Sequence, residues 1–320
     1  MSDGPSDLGA RALAEILVLT GLCLIGIIIF SAIGLGLASL YLGVKMEEIQ
    51  NMMDLQSFSS NGRVALLVLQ GTISLGGFVA FPWLIKYLQP SSPFRVSFSL
   101  IPNATILLLV VGLAVLMMPV NGWLASWNET IHLPSFLEGF QQWAKAKELE
   151  MEGLTLFLVR FSSPLEVFLG FVVIALIAGF SEEYFFRKML QPRIFGLVGN
   201  IHLAIWLTAF IFSAIHMQFY GLFPRMALGA LFGYYYYWTG NIWISVFGHS
   251  LNNAITLVGM YLYQQNISPI DVEDPKVIPW YIGAVAAGIT WSLASMIQEE
   301  AVQIKSQRIN RVQPETNVPQ

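Results

Sequence analysis

Charge is scarce in this sequence. Lys, Arg, Asp and Glu make up 11% of the 320 residues, where a soluble domain carries about 25%. Apolar residues account for 55%, and the mean hydropathy is +0.63. That balance excludes an ordinary soluble domain and points to an integral membrane protein. Cysteine is nearly absent. Cys23 stands alone in an apolar run, which rules out a disulfide within the chain and argues against a cysteine nucleophile. The net charge of −4 comes without a basic cluster, so no nucleic-acid partner is expected. The common hydrolase signatures HExxH and GxSxG are missing, and no Cys lies beside a His. No cleavable signal peptide is expected, because the first apolar run is too long for a signal core.

Long apolar runs are abundant. A spanning helix needs about 20 apolar residues, and the runs predict an all-α polytopic membrane protein with about eight transmembrane helices. They fall at residues 13–44, 64–88, 98–120, 164–191, 201–219, 224–238, 242–263 and 277–297. The segment 45–63 is polar and reads as amphipathic. Residues 121–163 form a long insertion, with a helical stretch at 137–154 expected on the membrane surface. Four regions follow: an N-terminal three-helix membrane region with a polar insertion (1–150), a core carrying the polar residues described below (155–265), a final spanning helix (266–298), and a polar tail expected to be disordered (299–320). The Lys and Arg of the short loops favour both termini in the cytoplasm, with the protein in the cell's inner (plasma) membrane.

Against this background, Glu182 and Glu183 stand out. They lie side by side in an apolar run, followed by Tyr184, Phe185, Phe186 and Arg187. Each carboxylate at membrane depth costs roughly 2.5–3.5 kcal/mol even on the lenient insertion scale. A helix turns 100° per residue, so Arg187 shares a face with Glu183, four residues earlier, and points away from Glu182. Glu183 and Arg187 are therefore expected to pair. Glu182 is left without a local cation, which suits it to general-base work. The plain structural reading is a Glu–Arg pair with one spare acid near the lipid headgroups.

Two further constellations follow. His216 closes an apolar run, and Phe212 lies one turn before it on the same face. Measured from the turn at 196–199, Glu182 and His216 each lie roughly 22–26 Å into the membrane and can face each other. His249 and Asn253 are four residues apart on one face of the seventh span, with Asn252 adjacent. The same ruler puts them shallower, at roughly 12 and 18 Å. The plain readings are an interfacial histidine bonded to a carbonyl, and His–Asn glue between helices. Together the three constellations form a hydrolytic set: a carboxylate to activate water, and imidazole and amide groups to hold an oxyanion.

These residues resemble the CAAX protease and bacteriocin-processing (Abi, CPBP) family of intramembrane endopeptidases, related to the Ras-converting CAAX protease. That family's pattern is Glu-Glu-x-x-x-Arg, then Phe-x-x-x-His, then His-x-x-x-Asn or Asp. The sequence supplies Glu182, Glu183 and Arg187, then Phe212 and His216, then His249 and Asn253, in order. The resemblance covers about a third of the chain, and residues 1–150 carry no recognised motif. It implies that Glu182 is the water-activating base, that His216 positions the water, and that His249 and Asn253 form the oxyanion site. Glu183 and Arg187 would support them. Lys188 departs from the family, where Gly commonly follows the motif arginine.

The expected substrate is a peptide or a membrane protein within the lipid bilayer. No cofactor is expected. The alternative is a zinc site of Glu182, Glu183, His216 and His249. Two other classes compete: a non-catalytic membrane scaffold or bacteriocin self-immunity protein of the same family, and a small-solute transporter. The intact polar set argues against the first. The lack of an internal repeat argues against the second.

Overall fold

The computed structural model describes residues 5–53, 59–92, 94, 103–269 and 278–312. Helices account for the regular structure, with no strand among the described residues. The order is α1 (Pro5–Leu42), α2 (Met46–Met53), α3 (Ser60–Leu75), α4 (Ile85–Leu88), α5 (Ala104–Glu129), α6 (Glu138–Val159), α7 (Pro164–Gly170), α8 (Ala178–Glu183), α9 (Gln191–Val198), α10 (Ile201–Ala214), α11 (Leu222–Thr239), α12 (Ile242–Gln264) and α13 (Trp280–Val312). Three π-helical stretches, Gly76–Ala80, Phe171–Ile177 and Tyr184–Leu190, link neighbouring helices into longer rods.

Local chemistry sets the helix ends. Two Gly-Asn pairs make the tight corners around the site. Gly199 ends α9 at φ 69° and Gly240 ends α11 at φ 67°, a left-handed conformation that glycine adopts without a Cβ penalty. The asparagine that follows each one caps the next helix. The Asn200 side chain accepts from the Leu203 N–H, and Asn241 from the Trp243 N–H. Each corner therefore reverses the chain in two residues and sets α9 beside α10 and α11 beside α12.

Five helices are long and apolar enough to cross a membrane: Leu8–Leu42, Asn61–Leu88, Ala104–Glu129, Pro164–Val198 and Trp280–Gln307. With that composition, they make the protein an integral membrane protein. The expected count of eight is not reproduced. The fifth predicted run ends early, at Ala214, and spans about 21 Å at 1.5 Å per residue. The sixth carries four consecutive tyrosines, and the seventh carries His249, Asn252 and Asn253, so α11 and α12 are less apolar than α10. Both line the interior site.

Other boundaries shift. The third span runs on past Pro119 to Glu129, while its expected start at Phe98 lies outside the described residues. The last helix continues to Val312, so the expected disordered tail is helical that far; residues 313–320 lie outside the described residues. Helix α6 occupies the stretch expected to be helical in the insertion.

Candidate active site

Glu182 and Glu183 close α8, where π-helical winding begins. The two carboxylates differ sharply in exposure. Glu183 is fully buried, while the Glu182 side chain keeps 14% of its surface. Glu183 Oε2 lies 3.0 Å from Nε of Arg187, which is also fully buried. The contact lacks hydrogen-bond alignment, for neither Oε2 nor any Arg187 nitrogen has a hydrogen-bond partner among the described residues. It is therefore an ion pair held by charge. The guanidinium also lies 5.3 Å from the centroid of Phe212, close enough for a cation–π contact. The i,i+4 pairing expected from helix periodicity is thus present.

The second partner of Glu183 lies on another helix. Its Oε1 is 2.9 Å from Nδ1 of His249 on α12. Facing a carboxylate, that nitrogen donates its N–H, which leaves the lone pair of a neutral ring on Nε2. Nε2 lies 3.7 Å from Oε2 of Glu182, beyond direct hydrogen-bond range. Glu183 thus sits between a cation and an imidazole, and orients the imidazole toward Glu182. Phe232 stacks on the His249 ring at 5.0 Å and 17°, and Phe212 meets its edge at 5.7 Å. Two aromatic rings and one carboxylate fix the imidazole.

The depth ruler put His249 somewhat shallower than Glu182, whereas the two side chains lie 3.7 Å apart. It assumed straight α-helices. The π-helical stretches on both sides of the glutamates interrupt that winding, as π-bulges do.

His216 follows the end of α10. Its Nδ1 donates to the carbonyl of Phe212 at 2.8 Å, and its ring packs on Phe212 at 5.1 Å. The bond matches the plain reading and leaves Nε2 with its lone pair. Glu182 and His216 form no direct hydrogen bond or ion pair among the described residues. Met217, the next residue, has φ 56°, a left-handed conformation that is uncommon outside glycine. Asn253 donates through Nδ2 to the carbonyl of Ile174 at 3.0 Å, inside a π-helical stretch. That is a bond between helices, and it satisfies a backbone group in irregular winding. Asn252 contacts Asn253 Oδ1 at 3.5 Å.

Several contributors were not foreseen. Phe232 carried no motif. Gly179, one turn before the glutamates, allows α8 and α12 to touch: a Cβ there would lie 2.3 Å from Ser250 Oγ and 3.0 Å from its backbone nitrogen. The signal for it was a glycine within an apolar helix, which marks close helix contact. The insertion also has a task. Glu148 on α6 accepts from the Tyr220 N–H at 2.9 Å, and Phe140 and Trp143 pack on Phe219, each at 5.4 Å. Asn128 of α5 donates to the Phe219 carbonyl at 2.6 Å. Together they hold the loop that follows His216. Burial pushes the Glu148 carboxyl above the usual range, opposed by the Tyr220 N–H and by Arg225.

The alternative zinc set does not fit this arrangement. No three or more His, Cys, Asp or Glu side chains gather as a ligand group among the described residues. Glu183 is engaged by Arg187 and His249, and His249 Nδ1 faces Glu183.

The architecture defines an all-helical integral membrane protein with a buried carboxylate–imidazole–guanidinium cluster shared by two helices. Residues 164–255, under a third of the chain, match the family described as Rce1-like, type II CAAX prenyl endopeptidase, a match that supports the resemblance to the CAAX protease family. A stretch of 88 residues, 26% of the chain, is 30% identical to the uncharacterized protein YpbD of Bacillus subtilis (strain 168). That stretch covers 42% of the relative's length, less than half of it. No solved structure matches the chain.

Proposed function

We propose that the protein is an intramembrane endopeptidase that hydrolyses a peptide bond of a membrane-associated or lipidated peptide or protein. One observation carries the reading. Glu182 is the partly exposed carboxylate, and it adjoins the Nε2 of an imidazole that Glu183 holds from behind.

In this mechanism Glu182 takes a proton from water, the hydroxide attacks the scissile carbonyl, and Glu182 returns that proton to the amine nitrogen as the tetrahedral intermediate collapses and the C–N bond breaks. His249 Nε2 is free to accept a proton. Protonated from solvent before the attack, it donates to the tetrahedral oxyanion, with Glu183 balancing the charge. Arg187 in turn balances Glu183. His216, with Nδ1 bound to Phe212, has Nε2 free to hold the water. Asn253 has one N–H beyond its bond to Ile174, and it contributes that donor to the oxyanion site. The family match supports peptide hydrolysis as the reaction class. The reaction is assigned to these side chains without a metal, in the inner (plasma) membrane.

The test is peptidomics of cells carrying wild-type protein or Glu182→Ala at equal levels. Cleavage products are expected to disappear in the variant, with turnover of purified protein falling about 10²–10⁴-fold, the scale of a lost general base. The wild-type rate should persist in chelator. An unchanged peptidome with full biological activity in Glu182→Ala would instead favour a scaffold or immunity role.

A further inference from the structure

Arg225 lies in the first turn of α11 and has no part in the chemistry above. Its Nη2 donates to Gln218 Oε1 at 2.7 Å. Its Nη1 is buried and has no acceptor among the described residues. No carboxylate among them lies within ion-pair distance of it. Even so, Arg225 is within electrostatic range of Glu182, His216 and Glu148. The guanidinium rests against Gly221, where a Cβ would lie 3.2 Å from Nη2 and 3.5 Å from Nη1. Gln218 and Gly221 thus hold the fork in place, and both belong to the loop that follows His216.

A guanidinium presents donors in a rigid planar fork that matches a carboxylate with two parallel bonds. A buried charged donor without an acceptor is costly, and a ligand oxygen removes that cost. Glu182 is near enough to interact and too far to pair, so among the described residues the fork has no carboxylate partner and is open to one from a ligand.

We propose that Arg225 and Gln218 form a subsite for a carboxylate of the bound ligand, beside the groups assigned to bond cleavage. That the carboxylate belongs to a peptide rests on the peptidase reading; that the fork binds a carboxylate does not. The same chemistry is offered by a peptide's C-terminus and by an acidic side chain.

The experiment measures binding rather than turnover, on the full-length protein purified in detergent. Three probes are titrated: acetyl-trileucine as the free acid, the same peptide as its C-terminal amide, and acetyl-Leu-Leu-Glu as its C-terminal amide. Wild-type protein is expected to bind at least one of the acidic probes about tenfold or more tightly than the neutral amide, the scale of a charged hydrogen bond. Preference for the free acid identifies a chain terminus, and preference for the Glu peptide identifies a side chain. Arg225→Gln should abolish the preference, and Arg225→Lys should retain part of it. Equal or absent binding of all three probes to the wild-type protein overturns the proposal, and so does a preference that survives in Arg225→Gln. If the preference and its dependence on Arg225 hold while Glu182→Ala leaves the peptidome unchanged, the subsite stands and the peptidase reading falls.

Discussion

At the scale of single residues, the adjacent glutamates divide their labour by burial. Glu183 is enclosed between Arg187 and His249, and Glu182 keeps a face open. Breaking a buried pair by removing one partner leaves an uncompensated charge, at about 3–5 kcal/mol. Arg187→Met is therefore expected to destabilise the protein by about that amount. Adding Glu183→Gln should recover much of the loss, because both charges are then gone. Unfolding of the two single variants and the double variant in detergent gives the coupling. Additive losses would show that the pair is energetically idle. The pair itself was legible in the sequence, since helix periodicity dictates which side chains share a face. The bond from Glu183 to His249 was not, because it depends on where α12 lies relative to α8.

At the scale of elements, the site depends on how closely helices approach. Gly179 lets α8 rest on Ser250 of α12. Gly179→Ala places a methyl against a hydroxyl and a backbone nitrogen, and overpacking of this kind costs about 1–3 kcal/mol. The expected outcome is a loss of turnover larger than the loss of stability, as Glu182 and His249 move apart. Ser250→Gly in the same protein should restore part of the rate. Turnover equal to wild type in Gly179→Ala would show that the contact does not set the site.

Helix α6 is the second element to test. Its Glu148 takes up a proton at higher pH in the folded protein than in an unfolded chain. The penalty for burying its charge is therefore relieved as pH falls from neutrality toward the ordinary Glu value of about 4.3. Wild-type protein should gain thermal stability relative to Glu148→Gln over that range, seen as a change in their Tm difference. A constant difference would refute the assignment.

At the scale of the whole molecule, the long apolar helices set the placement in a bilayer, and the proposal that both termini face the cytoplasm rests on the loop charges alone. Cys23 is the sole cysteine, so a Cys23→Ser background gives a clean topology assay. Single cysteines at Ala10 and at Ser306, both exposed, are expected to react with an impermeant thiol reagent only after the membrane is opened to the cytoplasmic side. Labelling of the two from opposite sides would reverse the assignment of one terminus.

The sequence alone determined the helical class, because hydropathy and helix rise fix which runs can be spanning helices. It also determined the polar set, because ionisable groups in apolar runs are too costly to be incidental. It did not settle the number of spans, because α10 is short and α11 and α12 carry polar residues on the faces that line the site. The tertiary structure decided the contacts that make the site. Glu183 reaches across to His249, Phe232 clamps the ring, α6 braces the loop after His216, and Arg225 rests on Gly221. Each joins residues distant in sequence or set by loop geometry, and the π-helical stretches alter the depth and direction that a straight helix would give them. Periodicity specifies what one helix presents on each face. Only packing specifies which face of another helix it meets.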